Sequence, residues 1–418
     1  PHRLNVAYNL QVNIYPISKG KTSCILIPNW KPFWGVNGNC DIGMKNLFLS
    51  TTALVAGSML LTVNGAQAAE KIKLGLGGYF AAVAVAGSQS DGVGQSAANT
   101  RNHGFARESE IFFRGETTLD NGISFGVDMQ LEGETSADQI DESYIYVQGT
   151  FGRVVYGQDD PASDSMYYGS PAPIEGVGLV SPDFVSSVLA NGVASPAVKS
   201  NISGDADKIT YFTPRMSGFQ FGLSYTPDTC GAVAAACASD AVGLESQIDT
   251  GQQSEAFEGA VNYVRAFKGG EIALYAGMAT ANVEGTAAAV AAAGAEDQDQ
   301  WGVGFTLVYG DITFGADYRE DNQGTSAANT DRTDYSVGVN YVVGDWTVGM
   351  AYAHGEAEAG AGLGKDETDG YQVGAYYALG PGITLTGGMT YWDVDDNLSA
   401  AAVENEAKEF VIGTVLEF

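Results

Sequence analysis

Apolar and polar side chains alternate along most of the chain. In residues 108–119, Ile111 and Phe113 fall on one face and Glu110 falls on the other. A repeat of two residues is the repeat of a β-strand. The alternation continues to Phe418, the last residue, which predicts a strand whose partner holds the C-terminus to its end.

The connections between these segments are short and long in strict turn. The short ones are residues 120–122, 150–152, 214–218, 266–270, 310–311, 343–345 and 379–382. The long ones are approximately residues 87–107, 134–140, 159–204, 228–254, 280–299, 321–331, 355–367 and 393–406. This series of turns and loops predicts 16 strands joined as hairpins.

The strands of a soluble β-sandwich also alternate apolar and polar side chains. The period alone therefore leaves two fold classes open, a β-sandwich and a membrane β-barrel. Unequal connections favour a membrane barrel because all turns then lie on one side and all loops on the other. Such a sheet must close, since lipid offers no partner to an open edge. We therefore predict an all-β fold, a 16-stranded antiparallel transmembrane β-barrel. Its first strand is predicted at Lys71–Val85.

The N-terminal part does not follow this pattern. Residues 44–68 combine a basic start, a mostly apolar run and a small-x-small site, which predicts a signal peptide cleaved after Ala68. A membrane helix is the alternative, but the run is short and interrupted by Ser, Thr and Gly. Residues 1–43 are then upstream sequence outside the native protein, unless they form a genuine extension. The barrel domain is residues 69–418.

Acidic residues dominate the composition. The sequence has 20 Lys and Arg against 50 Asp and Glu, a formal net charge of −30. Such a chain repels nucleic acid and attracts cations. Export would place Cys230 and Cys237 in an oxidising compartment, where a disulfide between them competes with the alternative of two thiols.

Three segments carry a family resemblance. They are "DKITYFTPRMSGFQFGLSY" (207–225), "FEGAVNYVRAFKGGEIALYAG" (257–277) and the terminal "VLEF". In their order and spacing the chain resembles the 16-stranded general diffusion porins of Gram-negative outer membranes, especially those of purple bacteria and related alphaproteobacteria. The resemblance covers residues 69–418. It implies a homotrimer in outer-membrane lipid, reached after export through the inner membrane, with Phe418 as the signal for the barrel-assembly machinery.

The resemblance also implies that the third long loop, about residues 159–204, folds into the barrel and narrows a pore. By alternation, the predicted pore-lining residues of the wall are Lys73, Glu110, Arg114, Glu116, Asp128 and Glu142. The loop adds Asp159, Asp160, Asp164, Glu175 and Asp183. Arg107 and Arg153 are further candidates for the basic side of the pore, which would then have fewer basic residues than the family pattern implies. The sequence thus predicts passive diffusion of small hydrophilic solutes and ions through a weakly to moderately cation-selective channel.

Other functions are less well supported by the sequence. No cofactor is required, but hard cations take carboxylate ligands, so Ca²⁺ could bind at Asp159 and Asp160 or within "DVDDN" at Asp393, Asp395 and Asp396. A substrate-specific channel, for instance for sugars, could use an aromatic track beginning at Tyr144 and Tyr146. A plugged structural or adhesive barrel is a further alternative. No nucleophile–base motif indicates an enzyme.

Overall fold

The computed structural model describes residues 10–17, 21–28, 71–89, 102–133, 140–180, 195–229, 253–285, 295–324, 331–358, 364–396 and 403–418. The predicted cleavage site at Ala68, the cysteines Cys230 and Cys237, and Asp183 lie outside these residues. No helix within the described ranges has both the length and the apolar character needed to cross a membrane.

Strands make up nearly all of the regular structure. A separate antiparallel pair is formed by β1 (Leu10–Ile17) and β2 (Lys21–Pro28). The remaining strands are β3 (Gly75–Gln89), β4 (His103–Thr118), β5 (Ser124–Glu132), β6 (Ile140–Gly149), β7 (Gly152–Gln158), β8 (Asp207–Phe212), β9 (Phe219–Asp228), β10 (Gln253–Phe267), β11 (Gly270–Val283), β12 (Gln298–Tyr309), β13 (Ile312–Asp321), β14 (Arg332–Val343), β15 (Trp346–Glu358), β16 (Lys365–Gly380), β17 (Ile383–Asp396) and β18 (Val403–Glu417). One short helix, α1, spans Ala162–Ser165.

Strands β3–β18 form a closed antiparallel barrel of 16 strands, which confirms the predicted fold and strand number. Each strand pairs with its sequence neighbours, and β18 pairs with β3 to close the sheet. At the seam, the amide and carbonyl of Phe418 exchange hydrogen bonds of 3.0 and 2.9 Å with Gly78. The C-terminus is therefore held to its last residue, as the alternation predicts.

The outer surface of the barrel is apolar and is bordered by aromatic residues at both ends. Near the long loops, Tyr225 and Phe257 pack with ring centroids 4.8 Å apart. Near the short turns, Trp346 and Tyr377 pack at 4.9 Å. Aromatic rings at these two levels are typical of a barrel that spans a membrane, with the apolar band between them.

The first barrel strand begins later than the sequence predicts. Lys73 lies in the exposed segment 71–74 before β3, so it precedes the strand on which the sequence places it, and its inward position stays a prediction. β18 ends opposite Gly78, and β3 is paired with both neighbours only beyond this point. Residues before Gly75 therefore lack a complete set of strand partners.

Gly78 is a point where the seam is sensitive to side-chain size. A Cβ atom there would lie 2.3 Å from the Glu110 carbonyl oxygen and 3.0 Å from the Phe418 ring. We expect Gly78→Val to lower the free energy of unfolding by about 1–3 kcal/mol, because the seam must shift to accept the side chain. Urea unfolding in lipid vesicles measures this. Gly104→Val in β4 is the control, since a Cβ there meets nothing within 4 Å; equal losses in both variants would contradict the prediction.

Candidate functional site

The interior of the barrel holds the long loop between β7 and β8, residues 159–206, which we call the inner loop. The structure describes its forward run, residues 159–180, and its return run, residues 195–206. The forward run leaves β7 through α1 and follows the inner wall past β10 and onward to β17. The prediction of an inward loop is therefore confirmed.

Polar side chains of the wall bind the backbone of the forward run. The centre of this anchoring is Asp317 on β13, whose carboxylate accepts hydrogen bonds from the Tyr167 hydroxyl at 2.6 Å and the Ser170 amide at 2.8 Å. The side chains that donate to loop carbonyls are Asn262 (to Met166), Tyr275 (to Ser163), Thr306 (to Gly169), Asn340 (to Ala172) and Gln372 (to Val177). These contacts satisfy backbone groups that have no strand partner.

Apolar contacts fix the same run. Ile174 fits against Gly374 on β16 and Gly388 on β17, and a Cβ at either glycine would lie within 2.5 Å of an Ile174 carbon atom. Farther along, Leu179 packs on the buried Trp392. These glycines leave the space that the loop side chain occupies, so the wall and the loop are complementary in shape.

The return run lies as a second layer, nearer to the long-loop end of the barrel. On β10 it is bound by Glu258, which accepts from the Ile202 amide at 2.8 Å. On β13 and β14, Arg319 and Arg332 donate to the carbonyls of Ala197 and Ser195 at 2.8 and 3.0 Å. Asp321 and Asp334 neutralise these two arginines. The loop-bearing wall thus carries charges that are mostly paired.

A single lysine joins the two ends of the inner loop. Lys208 on β8 is 2% exposed, and its Nζ donates to the carbonyl oxygens of Gly204 and Ala206 at 2.7 Å each and to that of Asp159. These bonds use all three protons of the ammonium group. Sequence reasoning missed Lys208, although it is an inward lysine at the end of the longest loop.

The carboxylates of the inner loop are less available to a permeating ion than the sequence predicts. Asp160 and Asp164 are buried and accept from the Asn201 side chain, and Asp164 also pairs with Lys199 at 2.7 Å. Glu175 is only partly buried. Burial raises the pKa of Asp159 to about 8, despite the opposing effect of Arg153, so this carboxyl is largely protonated at neutral pH.

The opposite wall, β4–β6, carries all four acidic residues that the sequence predicts for the barrel wall. In a barrel of 16 strands, β5 lies across from β13 and its anchored loop. Glu110 points inward but is only 2% exposed and accepts from the Tyr79 hydroxyl at 2.8 Å. Glu116 accepts from Tyr146 at 3.0 Å and from Gln148. Glu142 is buried beside Gln130.

Two guanidinium groups accompany these carboxylates. Arg114 pairs with Asp128 at 2.6 Å and lies 4.0 Å from the Phe112 ring centroid. Arg153 lies 4.0 Å from the centroid of Tyr146. Arg107 occupies an exposed position on the outer face, so it does not add to a basic inner side. Tyr144 is buried against the inner loop, which removes it from the aromatic track considered for sugars.

Of the calcium candidates of the sequence, Asp159 and Asp160 lie at the start of the inner loop and the other three lie on β17. Asp393 and Asp395 are exposed on the outer face of β17, whereas Asp396 lies at the end of that strand and its side chain is outside the described part. In the described ranges, a carboxylate trio with oxygens within 4.8 Å of one another is formed instead by Glu110, Glu132 and Asp141. A register shift between β5 and β6 adds one residue to β6 beside this trio.

This architecture, a closed membrane barrel with a long loop folded against its inner wall, defines a pore-forming outer-membrane protein. The sequence profile of Gram-negative porins matches residues 50–397. The chain belongs to that family. No curated protein sequence matches the chain.

Solved porin structures share this fold. An anion-selective porin from Comamonas acidovorans superposes with a TM-score of 0.54 at 16% identity, covering 83% of this chain and 100% of that one. A variant of the Rh. blastica porin gives 0.51 at 17% identity, with 83% and 100% covered. The trimer form of OmpT, an outer membrane protein of Vibrio cholerae, gives 0.54 at 14% identity, with 84% and 100% covered.

Lys208 should control how firmly the inner loop is held. We expect Lys208→Met to leave three loop carbonyls without a donor and to increase current fluctuations and closing events in single-channel recordings. Lys199→Met is the matched control, because it also removes one positive charge but leaves the hydrogen bonds that join the two ends of the inner loop intact. If both variants changed selectivity alike and neither became noisy, Lys208 would act only as a charge.

Asp159 should make stability depend on pH. Its pKa of about 8 in the folded protein exceeds the value of about 3.9 for an exposed Asp, so the folded state holds the proton more tightly. This contribution is complete below about pH 4 and is lost as the pH rises to about 8. Relative to Asp159→Asn, the native protein should therefore lose thermal stability from pH 5 to 8 and then level off. Parallel melting curves for the two proteins over this range would refute the assignment.

Proposed function

We propose that the protein is a general diffusion porin for small hydrophilic solutes and ions, with a weak to moderate preference for cations. Solutes would pass between the inner loop and the wall formed by β4–β6. The observation that carries the proposal is the charge of that wall. Its inward acidic residues are Glu108, Glu110, Glu116, Asp128, Glu132, Asp141 and Glu142, against which the described part of β4–β7 sets Arg114 and Arg153.

The fold alone does not decide the sign of selectivity, since the porin from Comamonas acidovorans is anion-selective on a similar barrel. The decision rests on local charge. A charge about 6 Å from an ion in water contributes roughly 0.7 kcal/mol, so two such carboxylates would raise the local concentration of cations roughly ten-fold at low salt and lower that of anions by a similar factor. Screening over about 8 Å weakens the preference near physiological salt.

In this proposal the cation preference comes from the acidic residues of the β4–β6 wall. It does not come from an acidic inner loop that faces a basic wall. Loop carboxylates such as Asp164 are paired, and Asp159 is largely protonated at neutral pH. Glu116 and Glu132, which are only partly buried on the inner face, are the residues we expect to contribute most.

Assembly and location follow the family. We propose a homotrimer, as the trimer form of the structurally similar OmpT suggests, inserted after export by recognition of Phe418, which is 67% exposed at the barrel seam. Ca²⁺ binding stays a prediction, and the family of the chain favours a channel over an enzyme.

Planar bilayer recordings test the proposed selectivity. The protein should give large ohmic steps, with a reversal potential in a KCl gradient that indicates cation preference. Glu116→Gln with Glu132→Gln should lower the cation-to-anion permeability ratio several-fold at 0.1 M salt, because two inward charges are lost. Asp393→Asn on the outer face is the control and should change nothing. Anion preference in the native protein would leave a porin but overturn the selectivity, whereas a folded barrel without steps would overturn the channel itself.

A further inference from the structure

Most cations of the described residues have a partner within the protein. Five of them pair with carboxylates, namely Arg114, Arg319, Arg332, Lys199 and Lys365. Arg265 on β10 and Lys268 in the following turn differ. In the described part of the chain, the hydrogen bond of Arg265 goes to the Tyr263 hydroxyl at 3.2 Å, and Lys268 has neither a hydrogen bond nor an ion pair.

Both cations lie at the short-turn end of the barrel. Arg265 is on the outer face of β10, in the same row as Tyr263 and Phe267, and is fully exposed. Its partner across the ladder to β11 is Ile272. No carboxylate is therefore opposite the guanidinium, although acidic residues outnumber basic ones more than two-fold in this chain.

Aromatic rings fix the depth of this site in the membrane. Tyr263 packs on Phe219 with centroids 4.6 Å apart, and Phe267 stacks on Tyr309 at 6.3 Å. Aromatic side chains of a barrel form girdles at the level of the lipid headgroups. Arg265 and Lys268 therefore meet headgroups rather than acyl chains, at a level where cations can bind phosphate.

We propose that the surface formed by Tyr263, Arg265, Phe267 and Lys268 binds the headgroup of an anionic phospholipid in the leaflet on the short-turn side. The guanidinium and the ammonium bind the phosphate, and the two rings cover the adjoining glycerol and upper acyl chains. Asp311 and Asp345 occupy the next two turns of this rim, so the positive charge does not continue in that direction. The site is independent of the pore and of its selectivity.

The direct test is native mass spectrometry of the detergent-solubilised protein with phosphatidylglycerol or phosphatidylcholine of identical acyl chains. The native protein should retain phosphatidylglycerol preferentially. Because a basic side chain near an anionic surface contributes about five-fold to binding, Arg265→Gln with Lys268→Gln should lower the preference roughly twenty-fold. The matched control is Lys365→Gln with Lys408→Gln, which removes the same charge at the opposite end.

The outcomes separate clearly. Loss of the preference in the first double variant, with the control unchanged, supports the proposal. Equal preference in all three proteins overturns the proposal, and so does equal loss of the preference in both variants. Displacement of the lipid by millimolar inorganic phosphate, with no dependence on the acyl chains, also overturns it. Migration of the unheated protein on gels verifies that each barrel is folded. Should the double variant fail to fold, Lys268→Gln alone, in an exposed turn, should still lower the preference roughly five-fold.

Discussion

The closed hydrogen-bond ladder is the constraint on which the rest of the structure depends. Lipid cannot satisfy backbone amides and carbonyls, so each strand needs a partner on both sides. The seam between β3 and β18 meets this need, and the mutual hydrogen bonds of Gly78 and Phe418 extend it to the last residue. With every edge paired, the outer face can remain apolar and the inner face can take polar residues.

Closure at 16 strands creates a second problem, because side chains alone cannot fill so wide a barrel. The inner loop reduces the opening, but its backbone lacks strand partners. Wall side chains supply them, with Asp317 and Glu258 accepting from loop amides, and Gln372 donating to a loop carbonyl. The wall on β8–β17 therefore serves the loop, which leaves the wall on β4–β6 as the side where charge can act on solutes.

The alternation of residues such as Ile111 and Phe113 predicted the barrel because a period of two survives on a surface that lipid keeps apolar. The contrast between short and long connections predicted the strand number because the hairpins of such a barrel have all their turns on one side and all their loops on the other. The charge state of the inner loop could not be predicted, since the pairing of Asp164 with Lys199 joins two runs of the loop that meet only in three dimensions. The start of the first strand was placed too early, at Lys71, because alternation does not show where pairing to β18 begins.

The shape of the channel depends most on the contact between the inner loop and the wall at β16. The most direct measurement is disulfide formation between Ile174→Cys and Gly374→Cys, identified by mass spectrometry of the linked peptides. A Cβ at Gly374 would lie 2.3 Å from Ile174 Cγ1, so side chains at these two positions meet directly. We predict near-complete linkage in the folded barrel and none between Ile174→Cys and Gly126→Cys on the opposite wall. No linkage to β16, or linkage to β5 instead, would contradict the account.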